Sequence, residues 1–171
     1  MTALENQIES HDVDYMFERC VYIGERISLE DDVKSFVSSC SPDVFFSGSL
    51  RASVMAALNR GSDGLVLIVD YDLFGGVADV VGQLIMLRKR KPDCSVVLLS
   101  RELSGNDFTT SRLPICDVSL RLPFGDLPKF DTVCETVRTN NMIWRQRQHE
   151  IRKFKYVERR RKTLELARTV S

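Results

Sequence analysis

The stretch LVLIVD at residues 65–70 decides the fold class, because five apolar β-forming residues run directly into an acidic one. A second run of the same kind is SVVLLS at residues 95–100. Strands that are apolar along their whole length are buried on both faces, as in a parallel sheet covered by helices on each side. These two runs predict the central strands of an α/β domain.

Shorter apolar runs and helical patterns alternate around these two strands. The runs are CVYI (20–23), VFF (44–46) and VSLRL (118–122). Between the strands, apolar residues recur at helical spacing, as at Leu29, Val33, Phe36, Val37 and Cys40. The alternation predicts a doubly wound, five-stranded parallel sheet with up to five helices. The polar stretch 101–117 has poor helical periodicity, so we expect any helix there to be short or distorted.

Two serines lie where helices are expected to begin. Ser28 and Asp31 have the spacing of a capping box, in which Ser28 is the residue that caps the helix. Ser49 precedes a second amphipathic segment and can accept a hydrogen bond from its first turn. Gly61 and the Gly75-Gly76 pair are the expected breaks further along the chain.

Charge separates the chain into an acidic body and a basic tail. The tail, residues 138–171, holds 11 of the 24 Lys and Arg and 3 of the 24 Asp and Glu, so its net charge is 11 − 3 = +8. The body, residues 1–137, carries 13 − 21 = −8. Within the body, residues 1–17 form a polar lead-in and residues 18–137 the expected domain. No Pro or Gly follows Pro128, which predicts a long C-terminal helix.

Composition predicts a cytoplasmic protein without a membrane anchor. Residues 1–12 are polar and acidic and lack the apolar core of a secretory signal. No apolar run approaches the roughly 20 residues needed to cross a bilayer. The cysteines are scattered without metal-ligand spacing, so we expect small buried core residues in a reducing compartment. They are Cys20, Cys40, Cys94, Cys116 and Cys134.

The sequence contains no motif of a known catalytic apparatus. There is no dinucleotide fingerprint, Walker loop, nucleophile elbow or zinc-protease helix. His11 and His149 lie in polar or charged surroundings without a nearby acid and nucleophile. We therefore expect a protein that is not an enzyme and that requires no cofactor.

Ligands of doubly wound sheets bind beyond the carboxyl ends of the strands, so the residues at those ends form the candidate site. They are Gly24 and Glu25 after the first strand, Asp70 after the third, Ser100 after the fourth, and Leu122 and Pro123 after the fifth. Over about residues 18–137 they resemble the receiver domain of bacterial two-component response regulators. LVLIVD-YDLFGG is similar to the family's phospho-acceptor stretch, with Asp70 as the acceptor. VVLLS is similar to its strand that ends in Thr or Ser, and LRLPF to its Lys-Pro stretch, where the proline is usually cis.

Departures from the family pattern imply a degenerate site. Gly24-Glu25 stands where the family has an acidic pair for Mg²⁺, so Glu25 and Asp70 would bind this ion weakly at most. Leu122 stands where the family has a lysine that pairs with the phosphoryl group, and leucine offers neither charge nor a hydrogen bond. Arg121 is a poor substitute, because neighbouring strand residues point to opposite faces. The resemblance therefore implies impaired or absent phosphorylation of Asp70.

The tail carries an apolar stripe that is interrupted by arginines. Its members are the predicted contacts with a partner or a second copy: Trp144, Ile151, Phe154, Val157 and Leu164. Arg147, Arg161 and Arg168 make this a mediocre heptad seam, and Trp144 and Ile151 could instead pack on the chain's own domain. The basic cluster that could attract phosphates is Arg159, Arg160, Arg161 and Lys162.

Two interpretations from different classes follow from these observations. In the favoured one, an atypical response-regulator receiver acts in signal transduction by binding a kinase or regulatory protein and by forming a homodimer. In the alternative, the basic tail makes the chain a nucleic-acid-binding transcriptional regulator. A receiver that still accepts a phosphoryl group at Asp70 is a variant of the first interpretation. Neither interpretation involves a membrane.

Overall fold

The computed structural model describes residues 15–25, 30–59, 64–74, 77–125 and 127–169, with the backbone alone at residues 77, 164 and 166–169. The strands are β1 (Arg19–Ile23), β2 (Val44–Ser47), β3 (Leu65–Asp70), β4 (Ser95–Ser100) and β5 (Val118–Arg121). They form one parallel sheet in the order β2-β1-β3-β4-β5. This is the strand order of doubly wound flavodoxin-like and CheY-like folds, and it confirms the predicted fold class.

Helices cover both faces of the sheet. They are α1 (Asp31–Cys40), α2 (Leu50–Asn59), α3 (Val77–Arg90) and α4 (Phe130–Thr169). One core cluster joins α1 and the start of α4 to one face of the sheet, and a second joins α2 and α3 to the other. In β3, Ile68 belongs to the first cluster and Leu67 to the second, so the strand is buried on both faces as its sequence predicts.

The two predicted helix starts have different outcomes. The Ser49 hydroxyl accepts a hydrogen bond from the backbone N–H of Ala52 at 3.2 Å, so this cap is confirmed. Helix α1 begins at Asp31 after Glu30, which makes no capping bond with its side chain. The capping box therefore placed this start too early, while Ser28 itself lies outside the described residues. The predicted breaks at Gly61 and Gly75-Gly76 also lie outside them.

The segment between β4 and β5 contains one short 3-10 turn, Thr110–Arg112, and no α-helix. Its polar side chains satisfy its backbone instead. Asp107 Oδ1 accepts from the backbone N–H of Thr109 at 2.9 Å, and the Thr109 hydroxyl accepts from the N–H of Ser111 at 3.3 Å. Such local side-chain bonds compete with helix formation. The predicted short or distorted helix is confirmed, and four α-helices are present in the part of the chain that the structure describes.

A buried ion pair lies at the amino edge of the sheet, opposite the candidate site. Arg88 and Asp117 are both fully buried and joined by two hydrogen bonds of 2.6 and 2.7 Å. Arg88 also donates to the carbonyl oxygen of Leu113, and Asp117 accepts from the backbone N–H of Val96 at 2.8 Å. The polar atoms of the pair are thus satisfied, as burial of opposite charges requires.

Helix α4 is anchored to this ion pair. The Trp144 indole N–H donates to the carbonyl oxygen of Arg88 at 2.9 Å, and its ring lies 5.4 Å from the Arg88 guanidinium. Asn140 donates to the carbonyl oxygen of Asp117 at 2.7 Å, and Asn141 to that of Cys94 at 3.2 Å. These bonds fix one side of α4 against α3 and the starts of β4 and β5.

Trp144 is therefore not an exposed contact for a partner. Its side chain is only 5% exposed, because it fills the space between α4 and α3. Of the alternatives open from the sequence, packing of Trp144 on the chain's own domain is correct, whereas Ile151 is exposed.

Helix α4 continues without a break past the body. Arg152 donates to the carbonyl oxygen of Lys89 at 2.8 Å, and residues 153–157 beyond it are all exposed. We call residues 153–169 the projecting segment. The side chain of Leu164 lies outside the described part of the chain. Within the described ranges, no helix combines the length and the apolar character that a bilayer crossing demands.

The five cysteines are buried, as predicted. Burial raises the pKa of Cys94 and of Cys116 to about 12, so these thiols stay protonated at neutral pH. Hydrogen bonding to Cys134 and Cys20 raises the pKa of Cys40. The thiols behave as small apolar groups of the core.

Candidate functional site

Asp70 ends β3 at the carboxyl edge of the sheet, at the centre of the predicted site. Its side chain is 5% exposed, and its Oδ2 accepts a hydrogen bond from the Tyr22 hydroxyl at 3.2 Å. Its Oδ1 has no hydrogen-bond partner of normal geometry among the described residues. Burial raises the pKa of Asp70, and the bond from Tyr22 and the charge of Arg101 partly oppose this effect. The ionised carboxylate is therefore held at a cost in stability.

We expect Asp70→Asn to be more stable than the wild type at pH 7. The folded-state pKa of Asp70 is raised above its unfolded value of about 3.9, so the wild type loses stability as pH rises from about 4 through the folded-state pKa. Asparagine does not ionise, and it can still accept the bond from Tyr22. Urea unfolding at pH 7 and pH 4 measures both effects. A variant whose advantage did not shrink at pH 4 would contradict this account.

The Tyr22 ring occupies the place of the expected acidic pair. A Cβ atom built at Gly24 would lie 2.7 Å from Tyr22 Cε1 and 2.7 Å from its hydroxyl oxygen. Tyr22 is buried in the core cluster between the sheet and α1. Burial, followed by the nearby charge of Asp70, raises the pKa of Tyr22, so the phenol remains a hydrogen-bond donor. A phenol thus replaces a carboxylate beside Asp70.

Ser100 is engaged by a second acid, Asp72. The Ser100 hydroxyl donates to Asp72 Oδ1 at 2.5 Å, and the backbone N–H of Arg101 donates to Asp72 Oδ2 at 2.6 Å. The Arg101 guanidinium reaches Glu30 Oε1 at 2.8 Å, at the start of α1. Both oxygens of Asp72 are therefore occupied, and Arg101 ties the ends of β3 and β4 to α1.

The end of β5 matches the resemblance in its backbone and departs from it in its side chain. The Leu122-Pro123 peptide bond is cis, as in the family. Leu122 is buried in the core cluster with α1 and α4, so it adds neither charge nor a donor to the site. The guanidinium of Arg121 donates to the carbonyl oxygen of Ser104 at 3.3 Å, which confirms that it does not replace the lysine.

The donors at this edge do not fit Mg²⁺. Gly24 supplies no ligand, one oxygen of Asp70 is bonded to Tyr22, and both oxygens of Asp72 are bonded elsewhere. Glu25 is exposed. Among the residues that the structure describes, no three His, Cys, Asp or Glu side chains are grouped to hold a metal ion. Mg²⁺ favours octahedral oxygen ligation from free carboxylates and water, which this arrangement does not offer.

Sequence reasoning identified Asp70 and Ser100 but missed the groups that bond to them. Tyr22 had a detectable signal, since residues 22 and 24 share a face of β1 and a large side chain faces a glycine there. Asp72 and Arg101 had none, because their pairing depends on how the loops after β3 and β4 meet.

The basic cluster of the tail is exposed, but half of it is paired. Arg161 lies 3.4 Å from Glu165, and Lys162 lies 3.1 Å from Glu158, each one helical turn away. Arg159 and Arg160 are also exposed. Pairs of this kind stabilise a helix by a few tenths of a kcal/mol and reduce the charge available to a ligand.

Comparisons with known proteins add no identification to this geometry. No protein-family model matches the chain, and neither a curated protein nor a solved structure gives a significant match. The strand order therefore defines the class of fold, and the function must be inferred from the site itself.

Proposed function

We propose that this protein is a degenerate receiver domain that acts in cytoplasmic signal transduction by binding another protein, without phosphorylation of Asp70. The observation that carries the proposal is the Tyr22 phenol, which fills the space above Gly24 and bonds to Asp70. Phosphoryl transfer depends on a metal ion and fixed cations around the developing charge. Here the groups that could supply them are a glycine, a buried Leu122 and an Asp72 that is already bonded.

Incubation with acetyl phosphate and Mg²⁺ should leave the intact mass of the protein unchanged. The reason is that Asp70 has one oxygen bonded to Tyr22 and no second carboxylate in position to share a metal ion with it. The Asp70→Ala variant is the control, and a receiver that is known to be active serves as the positive sample. A gain of one phosphoryl group in the wild type alone would overturn the proposal.

A nucleic-acid-binding regulator is the second candidate, favoured by the exposed arginines of the projecting segment. Arg159 and Arg160 have no carboxylate assigned to them, whereas Arg161 and Lys162 are paired with glutamates. Binding to DNA by such a helix would weaken with a log–log salt slope of about 0.9 per phosphate neutralised and would show no sequence preference. Salt-tolerant binding to a protein would favour the adaptor instead.

A further inference from the structure

The projecting segment carries apolar side chains that cannot reach its own body. Phe154 is 71% exposed and Val157 is 58% exposed. At about 100° per residue, Phe154 lies about 80° and Val157 about 140° around the helix from Trp144, which faces the body. Ile151 is exposed where the helix departs. These three residues, the apolar stripe, can be covered only by another molecule.

The body offers an open apolar groove beside its edge strand. Strand β2 is at the end of the sheet, and its Phe45 is 50% exposed. A groove of about 200 Å³ lies between Phe45 and helix α2. Its apolar lining residues are Val21, Phe45, Ala56, Ala57, Leu65 and Leu67. A groove of this size and lining suits one large apolar side chain.

Net charges favour contact between the tail and the body of two copies. The body carries −8 and the tail +8, so a tail is attracted to a foreign body as it is to its own. Tail-to-tail pairing in parallel is disfavoured, because Arg147 and Arg161 lie seven residues before and after Phe154 and would each face their own copies.

We propose that two copies form a reciprocal dimer in which the apolar stripe of each packs into the groove beside β2 of the other. The contact is isologous, so each copy both gives a tail and receives one. The segment leaves the body at the amino edge of the sheet, where Arg19 and Leu65 also line the groove. Its 17 residues span about 25 Å, enough to cross that face. The dimer names a partner for the proposed adaptor and rests on it in that respect.

Sedimentation equilibrium of the full chain tests the dimer by complementation. The variants are Phe154→Asp in the stripe and Phe45→Asp in the groove, with Met142→Asp, at an exposed apolar position of α4 outside the stripe, as the matched control. Each of the first two removes both contacts of a homodimer, so each alone should dimerise at least about thirtyfold more weakly per contact. An equimolar mixture keeps one intact tail and one intact groove in the same pair, and it should regain dimer.

The wild type and the Met142→Asp control should both be dimers at low salt, and raising the salt should dissociate them, since opposite net charges contribute. Thermal melts check that each variant is folded, and Val157→Asp and Ala56→Asp replace any that is not. A monomeric wild type would overturn the proposal, and so would a Phe45→Asp variant that dimerises normally, which indicates tail-to-tail pairing. Neither result alters the phosphodonor test, so the two proposals fail separately.

Discussion

Replacing Arg88 by methionine will lower the free energy of unfolding by about 3–5 kcal/mol. The change leaves Asp117 charged and fully buried after the loss of two hydrogen bonds of 2.6 and 2.7 Å. It also frees the carbonyl oxygen of Leu113, which accepts from Arg88 in the wild type. Guanidinium unfolding at pH 7, followed by circular dichroism, measures the loss.

Two further variants make this test specific to the burial of the charge. The double replacement Arg88→Met/Asp117→Leu should recover much of the lost stability, because no buried charge remains unpaired. Arg112→Met removes a partly exposed pair with Asp107 at 3.2 Å and should cost no more than about 1 kcal/mol. Equal losses in Arg88→Met and Arg112→Met would show that burial of the Arg88–Asp117 pair carries no special weight.

Gly24→Ala will cost about 1–3 kcal/mol, because the new methyl group would lie 2.7 Å from the Tyr22 ring inside a packed core. The matched control is Gly82→Ala in α3, where no atom lies within 4 Å of the new Cβ. There the replacement should stabilise the helix by about 0.5–1 kcal/mol. Thermal unfolding of the two variants under identical conditions gives the comparison.

The Gly24→Ala result also bears on the candidate site. Tyr22→Leu combined with Gly24→Ala should recover stability relative to Gly24→Ala alone, since it removes the ring that the methyl group meets. If Gly24→Ala proved as stable as the wild type, the Tyr22 ring would have to move aside easily. The site would then be open to a side chain at residue 24, and the phenol would no longer explain the loss of the acidic pair.

The sheet was predictable because its signal is local. Each residue of β3 and β4 is buried, and a continuous apolar run is what burial on both faces requires. The distorted segment before β5 was predictable for a related reason, since Asp107, Thr109 and Ser111 bond to their own neighbours.

The ion pair of Arg88 and Asp117 was not predictable, because its partners are 29 residues apart and each looks like a surface residue in the sequence. Arg88 belongs to a basic run at the end of α3, a pattern typical of a solvated helix end. Only the packing of α4 over this end, through Trp144, removes it from water. The bond of Ser100 to Asp72 likewise joins two loops that are 28 residues apart.

The division of the tail between a buried and an exposed part has the same origin. Trp144 and Ile151 are seven residues apart and share one face of a helix, yet only Trp144 is buried. Helical periodicity identifies the face, but it does not state where the body beneath that face ends.

The unbroken α4 makes the molecule a lever with its load arm outside the body. The helix starts at Phe130 near the candidate site and is clamped at the far edge by Trp144, with no Pro or Gly to act as a joint. A tilt of about 10° at the clamp would carry the tip of the projecting segment sideways by about 4 Å, nearly the pitch of one helical turn. Small displacements around α1 and the start of α4 are thus amplified at the opposite pole of the protein.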